Sequence, residues 1–219
     1  MKLKWDKKKY VIFDFDGTIA NTNRLHETAF YEVMKSLGIT DFTYELYMGR
    51  KTNEVFKDFL QSKGITVTEK EIEVLTKRKQ SLVRKLMAEE LEAYEGATEF
   101  IRLLRDKGKV LSVATSSSRT GVTLALKKLG LYNEFHFIIT GDDVEKAKPS
   151  PEIYRRALEL ANMKPQEAIV IEDSLSGSLA AADAEIEVII VNNKELRGQY
   201  YCTDFICLAE DFCEYLSDR

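Results

Sequence analysis

The sequence predicts an α/β fold: a parallel sheet with helices on both faces and a small all-helical insertion after the first strand. Three observations predict it. Short apolar runs rich in β-branched residues recur along the chain, and helical patterns separate most of them. The third is residues 22–95, where helical periodicity continues with no strand pattern.

The strands are Tyr10-Val11-Ile12-Phe13, Val110-Leu111-Ser112-Val113-Ala114, Phe135-His136-Phe137-Ile138-Ile139, Ala168-Ile169-Val170-Ile171 and Val188-Ile189-Ile190-Val191. Between them, Phe100, Ile101, Leu103 and Leu104 repeat at helical spacing. So do Val122, Leu124, Ala125, Leu126 and Leu129, closed by Gly130, and then Ile153, Tyr154, Ala157, Leu158 and Ala161. Strand alternating with helix implies parallel pairing with both sheet faces covered. Within the insertion, Leu25, Ala29, Phe30, Val33, Met34 and Leu37 make one helix face ended by Gly38, and Val55, Phe56, Phe59 and Leu60 make another. Thr68 and Glu71 have capping-box spacing and open a third helix. The expected organisation is a Rossmann-like core from residues 1–21 and 96–219, with a helical domain at 22–95.

With 219 residues and 44% hydrophobic content, the chain can bury one substantial core and a small accessory one. Its 32 basic and 36 acidic residues leave a formal net charge of −4, which gives no footprint for nucleic acid or an anionic membrane surface. The apolar runs fall far short of the roughly 20 residues a spanning helix needs. The basic start Met1-Lys2-Leu3-Lys4-Trp5 leads into no apolar export region. A cytoplasmic monomer is the expectation. Cys202, Cys207 and Cys213 match no zinc or redox spacing and read as free thiols.

Polar clusters follow four of the strands directly: Asp14-Phe15-Asp16-Gly17-Thr18, Thr115-Ser116-Ser117, residues 141–148, and Glu172-Asp173. In an open parallel sheet the carboxyl ends of the strands line one crevice, so these clusters converge. Two unit charges about 4 Å apart repel by roughly 4 kcal/mol at an effective dielectric near 20, so Asp14, Asp16, Glu172 and Asp173 cannot all stay ionised unaided. A hard divalent cation resolves the conflict, and Mg2+ with Asp14, Asp173 and a main-chain carbonyl suits it. Lys148 and the cation would then offset a phosphate dianion. Asp14 and Asp16 point to the same side of an extended chain. One can therefore attack phosphorus while the other exchanges a proton with the leaving oxygen and with water. Thr115 is the right type to hold a phosphate oxygen.

Taken singly, each cluster has a plainer reading. Asp-Phe-Asp-Gly is often a turn after a strand, Glu-Asp-Ser a helix start, Ser116 part of a solvated loop and Lys148 an exposed charge. Their shared position at strand ends favours a catalytic site.

At these residues the chain resembles the haloacid dehalogenase superfamily, in the β-phosphoglucomutase and phosphatase branch, over nearly its whole length. Asp14 to Thr18 looks like the first motif, Thr115 the second, Lys148 in Ala147-Lys148-Pro149-Ser150-Pro151 the third, and Glu172-Asp173-Ser174 the fourth. The resemblance implies Asp14 as nucleophile and Asp16 as acid/base. It implies Mg2+ held by Asp14, the Asp16 carbonyl and Asp173, with Glu172 nearby or in an outer shell, and 22–95 as a mobile cap over the site. His26 falls at the family's hinge histidine, and Arg50 and Lys51 in the cap's substrate-reading loop Gly49-Arg50-Lys51-Thr52, so with Thr115 and Ser116 they are the substrate-binding candidates. Asn21 replaces an aspartate common in relatives. Thr52 stands where mutases carry an arginine, which favours a phosphatase. The expected activity is Mg2+-dependent hydrolysis of a small phosphorylated metabolite, a sugar phosphate above all, through an aspartyl phosphate. The alternatives are a sugar-phosphate mutase and, from another class, a non-catalytic phosphate- or metal-binding or phosphoacceptor domain.

Overall fold

The computed structural model describes residues 3–48, 50–196 and 200–217. Strands β1 (Tyr10–Phe13), β2 (Val110–Ala114), β3 (Phe137–Ile139), β4 (Ala168–Glu172), β5 (Glu187–Ile190) and β6 (Tyr200–Tyr201) form one sheet in the order β3-β2-β1-β4-β5-β6. All five pairings are parallel, with Tyr10 opposite Val110 on one side and Ala168 on the other. The chain leaves β1 toward β2 and β3, then returns to β1's other side at β4. That reversal sets a topological switch point at the carboxyl ends of β1 and β4, where such sheets bind ligands.

The strands read as continuous apolar runs because both faces of the sheet are covered. Val11 and Phe13 pack with Leu111, Val113, Ile169 and Ile171 under α4 (Ala97–Asp106), α5 (Arg119–Lys128) and α8 (Phe205–Ser217). Tyr10 and Ile12 point to the opposite layer, α6 (Glu152–Ala161) and α7 (Leu175–Asp183). Burying each such Phe or Ile fully contributes about 1.5–3 kcal/mol.

Between β1 and α4 lie α1 (Asn23–Lys35), α2 (Thr52–Ser62) and α3 (Glu69–Glu90). They share a separate apolar cluster built on Phe30, Val33, Met34, Phe56, Phe59, Leu60, Ile72 and Leu75. The capping box that starts α3 forms, with Thr68 N donating to Glu71 at 2.7 Å and Glu71 N donating to Thr68 Oγ1 at 3.3 Å. The two chain passages joining this helical segment to the sheet lie side by side. Asn21 N donates to Glu92 O at 3.1 Å and Tyr94 N to Ile19 O at 2.9 Å. The Tyr94 hydroxyl donates to the Asn21 side chain at 3.4 Å, so the asparagine in place of aspartate still accepts a bond at this junction.

Three details differ from the expected elements. β3 begins at Phe137, because residues 132–134 make a 3-10 turn and His136 Nδ1 turns back to accept from Leu111 N. β6 is only two residues long, too short for a period-2 pattern to register. α7 is rich in Ala, Ser and Gly and so has no polar–apolar contrast to betray it.

Candidate active site

The loops after β1, β2 and β4, and the one before α6, deliver their polar residues to a single mouth beside the switch point. Lys148, 1% exposed, lies at its centre. Its ammonium donates to Asp14 Oδ1 at 2.5 Å, Glu172 Oε1 at 2.8 Å and Ala114 O at 3.0 Å. Glu172 is fully buried. Its second oxygen accepts from Asp173 N, Ser174 N and the Ser174 hydroxyl at 2.8–2.9 Å, and Tyr154 OH donates to the first at 3.2 Å. With both oxygens spent this way, Glu172 holds Lys148 and shapes the β4–α7 turn. Its carboxylate lies so close to the start of α7 that a Cβ on Gly177 would come 1.6 Å from Oε1. Asp173 accepts from Thr18 at 3.0 Å and Asn23 at 3.3 Å. Gly17, with φ of +88°, takes the left-handed turn beside it, and a Cβ there would meet Asp173 Oδ2 at 2.1 Å. From beyond β5, Asn192 donates to the carbonyls of Gly17 and Thr18, and Asn193 to that of Asp173.

Burial drives the electrostatics of this cluster. It pushes the Asp14 carboxyl well above its ordinary range against the pull of Lys148, and lifts Asp173 to about 8, with Glu172 adding repulsion. Burial also opposes the charge on Lys148, but Asp14 and Glu172 outweigh it and hold the ammonium well above its usual range. One lysine thus faces more negative charge than it can neutralise.

Asp16 is in a different setting. Burial opposes its charge, yet His26, Ser117 and Thr22 together hold its carboxyl well below the usual range. Thr22 donates to Oδ1 at 2.7 Å, while Ser117 at 2.5 Å and Thr115 at 3.2 Å donate to Oδ2. Thr22 precedes α1 and makes no side-chain capping bond; its hydroxyl serves Asp16 instead. His26 Nε2 stands 3.2 Å from Asp16 Oδ1, off the line of a well-directed hydrogen bond. Its Nδ1 contacts Lys79 Nζ at 2.9 Å. Lys79, on α3 and 2% exposed, also sits 4.4 Å over the Phe30 ring. Burial lowers Lys79 to about 7, and burial followed by the Lys79 charge lowers His26. A neutral imidazole accepts from Lys79 at Nδ1 and keeps its Nε2–H on the Asp16 side, at 3.2 Å from Oδ1.

Of the residues expected at the site, Asp14, Asp16, His26, Arg50, Lys51, Thr115 and Ser116 line one cavity of about 120 Å³ between the strand ends and the helical segment. Lys148 and Asp173 are bonded into the cluster at its floor. The cap-loop pair does not converge on the carboxylates. Arg50 pairs with Asp58 at 2.5 Å, and Lys51 donates to Val144 O at 2.7 Å across to the sheet domain. Gly49 of the same loop lies outside the described residues. Sequence reasoning missed Lys79, Thr22 and Ser117. Lys79 stands in a charged helix where a lysine normally marks the solvated face, and only its i+4 spacing from buried Leu75 hinted otherwise.

The donor set suits a hard, oxygen-seeking divalent ion. Oxygens of Asp14, Glu172 and Asp173 come within 4.8 Å of one another, all buried. Lys148 takes one Asp14 oxygen and leaves the other, so a divalent charge placed among these buried carboxylates would relieve their mutual repulsion.

An open parallel sheet carrying an acid–lysine cluster at its switch point defines an α/β enzyme. The chain matches the haloacid dehalogenase-like hydrolase family over residues 11–191. A phosphorylated carbohydrates phosphatase of Thermotoga maritima is 32% identical, with 82% of each chain covered. The structure of CbbY from Rhodobacter sphaeroides in complex with phosphate is 28% identical and superposes with a TM-score of 0.80 over 90% of this chain and 95% of CbbY. In fold, the β-phosphoglucomutase of Clostridium difficile agrees at a TM-score of 0.84 and 22% identity, over 96% of this chain and 99% of its own. This chain belongs to the haloacid dehalogenase-like hydrolase family, in its β-phosphoglucomutase-like branch, and is an enzyme of the phosphatase type. Membership sets aside the non-catalytic alternatives. Among the described residues, no helix is long and apolar enough to cross a membrane.

Proposed function

We propose that the protein is a Mg2+-dependent phosphatase that hydrolyses a small phosphorylated metabolite of the sugar-phosphate class through an aspartyl phosphate on Asp14. The observation that carries this reading is the contrast between two neighbouring aspartates. Asp14 is fixed by Lys148 at 2.5 Å, and Asp16 is held by three hydroxyls and faced by His26 in the same mouth. The Thermotoga relative's action on phosphorylated carbohydrates supports the substrate class.

Asp14, Asp173 and the main-chain carbonyl of Asp16 would hold the ion. When bound, it supplies charge neutralisation for the phosphate oxygens. Lys148 orients the Asp14 carboxylate so that its other oxygen attacks phosphorus, and its charge offsets the negative charge that builds there. The donors around Asp16 keep it ionised. A phosphate dianion brought alongside opposes that charge and raises its proton affinity, so Asp16 takes up a proton from solvent as substrate binds, gives it to the departing alkoxide and afterwards takes a proton from the attacking water. His26 and Lys79 fix the position of Asp16 from the helical segment, which makes the acid/base complete only when α1 and α3 sit over the sheet. The segment at 22–95 acts as a cap hinged where residues 19–21 run beside 92–94.

Phosphate release from a panel of sugar and other metabolite phosphates, with and without Mg2+, tests the proposal. Asp14→Asn is expected to abolish release, and full activity in that variant overturns the reading. Following the phosphoryl group separates the mutase alternative. In a phosphatase it is lost to water, and in a mutase it returns to the sugar.

A further inference from the structure

α3 presents to the cavity a second set of groups that the chemistry at Asp14 does not use. Thr76, Gln80 and Arg84 are spaced four residues apart, so they form one stripe along the helix, and all three line the cavity. The neighbouring stripe, Lys79, Val83 and Met87, is buried and anchors the helix. Thr76 Oγ1 is buried and has no hydrogen-bond partner among the described residues, an uncommon and costly condition for a polar atom.

The charges around the cavity are otherwise spoken for. Lys148 is bound to Asp14 and Glu172, Arg50 to Asp58, Lys51 to main-chain carbonyls, and Lys79 to His26. Among the described residues Arg84 alone of these cations has no bonded partner. It is half-buried, and it lies five residues beyond Lys79, roughly 7.5 Å along the helix axis from the group that faces His26 and Asp16. On the proposed mechanism the transferred phosphoryl group is matched by Lys148 together with the divalent ion, so the charge of Arg84 is surplus to the reaction. An unpaired guanidinium flanked by Val83 and a buried Met87 is suited to an anion, which it can bind through two parallel N–H bonds.

We propose that Arg84, with Gln80 and Thr76, reads a second anionic group at the far end of the substrate, so that the substrate is a phosphomonoester of a polyhydroxy chain bearing a further phosphate or carboxylate. This rests on the phosphatase reading for the position of the first phosphate. Gln80, between Lys79 and Arg84 along the helix, meets hydroxyls between the two anions, and a ligand hydroxyl on the other side of Lys79 gives Thr76 Oγ1 the partner it lacks.

Binding can be measured without turnover. In the Asp14→Asn background with Mg2+, titration calorimetry compares glucose 6-phosphate, 6-phosphogluconate and glucose 1,6-bisphosphate. At least one doubly anionic ligand is expected to bind on the order of 10- to 100-fold more tightly than glucose 6-phosphate, the range set by a charged hydrogen-bond pair. Arg84→Gln is expected to collapse that ratio to within about threefold, and Arg84→Lys to keep much of it. Which ligand wins identifies the second anion as phosphate or carboxylate. A ratio unchanged by Arg84→Gln, three ligands that bind alike, or no binding by any of them overturns the proposal. Hydrolysis of p-nitrophenyl phosphate by the enzyme with Asp14 intact reports separately on the phosphatase reading. Absence of that hydrolysis alongside an Arg84-dependent binding ratio would sink the activity and leave the anion site standing.

Discussion

Lys148 shows how much one side chain can decide in a buried site. Its ammonium is the counter-charge for Asp14 and Glu172, so Lys148→Met leaves two buried carboxylates uncompensated and is expected to cost about 3–5 kcal/mol of stability, together with loss of activity. Urea denaturation at neutral pH measures it, and a cost under 1 kcal/mol would contradict the geometry. Lys79 behaves in the opposite sense. Its folded value of about 7 lies below that of a free lysine, so between about pH 7 and 10 the unfolded chain binds a proton that the folded one does not. Stability attributable to this group therefore rises with pH across that window, and below it the full burial penalty applies. Lys79→Met is expected to be more stable than the parent at pH 6, by on the order of 1–3 kcal/mol, with the gain fading toward pH 10. Melting curves at pH 6, 8 and 10 that run parallel for the two proteins would refute this.

At the scale of elements, tight approaches at the strand ends hold the site together. Glu172 fits against the start of α7 only because residue 177 has no side chain. Gly177→Ala is expected to cost about 1–3 kcal/mol by overpacking and to lower activity by displacing the carboxylate that holds Lys148. Normal stability with normal turnover would mean that this contact is not needed. The sequence carried the strand ends well, because four of the five apolar runs are followed directly by a polar cluster and parallel topology leaves those clusters one place to meet. Asp14, Asp16, Lys148 and Asp173 were legible for that reason. Thr22 and Ser117 were not, since a Thr before a helix reads as a cap and a Ser in a serine run reads as loop. Lys79 was hidden because periodicity assigns a face but not the contact that makes a buried lysine tolerable.

For the molecule as a whole, the cavity of about 120 Å³ is lined from one side by the strand-end loops and from the other by the helical segment. On the proposed mechanism the helical segment opens from the sheet to admit substrate and closes over it. Contacts that cross between them include Lys51 to Val144 O at 2.7 Å and Ser176 to Met48 O at 3.1 Å. Lys51→Met removes one such tie, worth about 0.5–1.5 kcal/mol, and is expected to shift the open-to-closed ratio by roughly 2- to 10-fold. Small-angle scattering should show a larger radius of gyration without substrate. An unchanged radius with unchanged KM would assign Lys51 no part in closure. The separate cluster around Phe30 and Phe56 made the helical insertion legible from sequence, but its seating over Asp16 through His26 and Lys79 depends on contacts between residues 53 positions apart.

The central claim is that Asp14 becomes covalently phosphorylated. Acid quenching of a reaction in progress, followed by peptide mapping by mass spectrometry, tests it most directly. The peptide containing residues 10–18 is expected to carry an acyl phosphate on Asp14 that hydroxylamine removes, and Asp14→Asn is expected to carry none. Steady phosphate release with no such adduct, at a rate untouched by Asp14→Asn, would contradict the account.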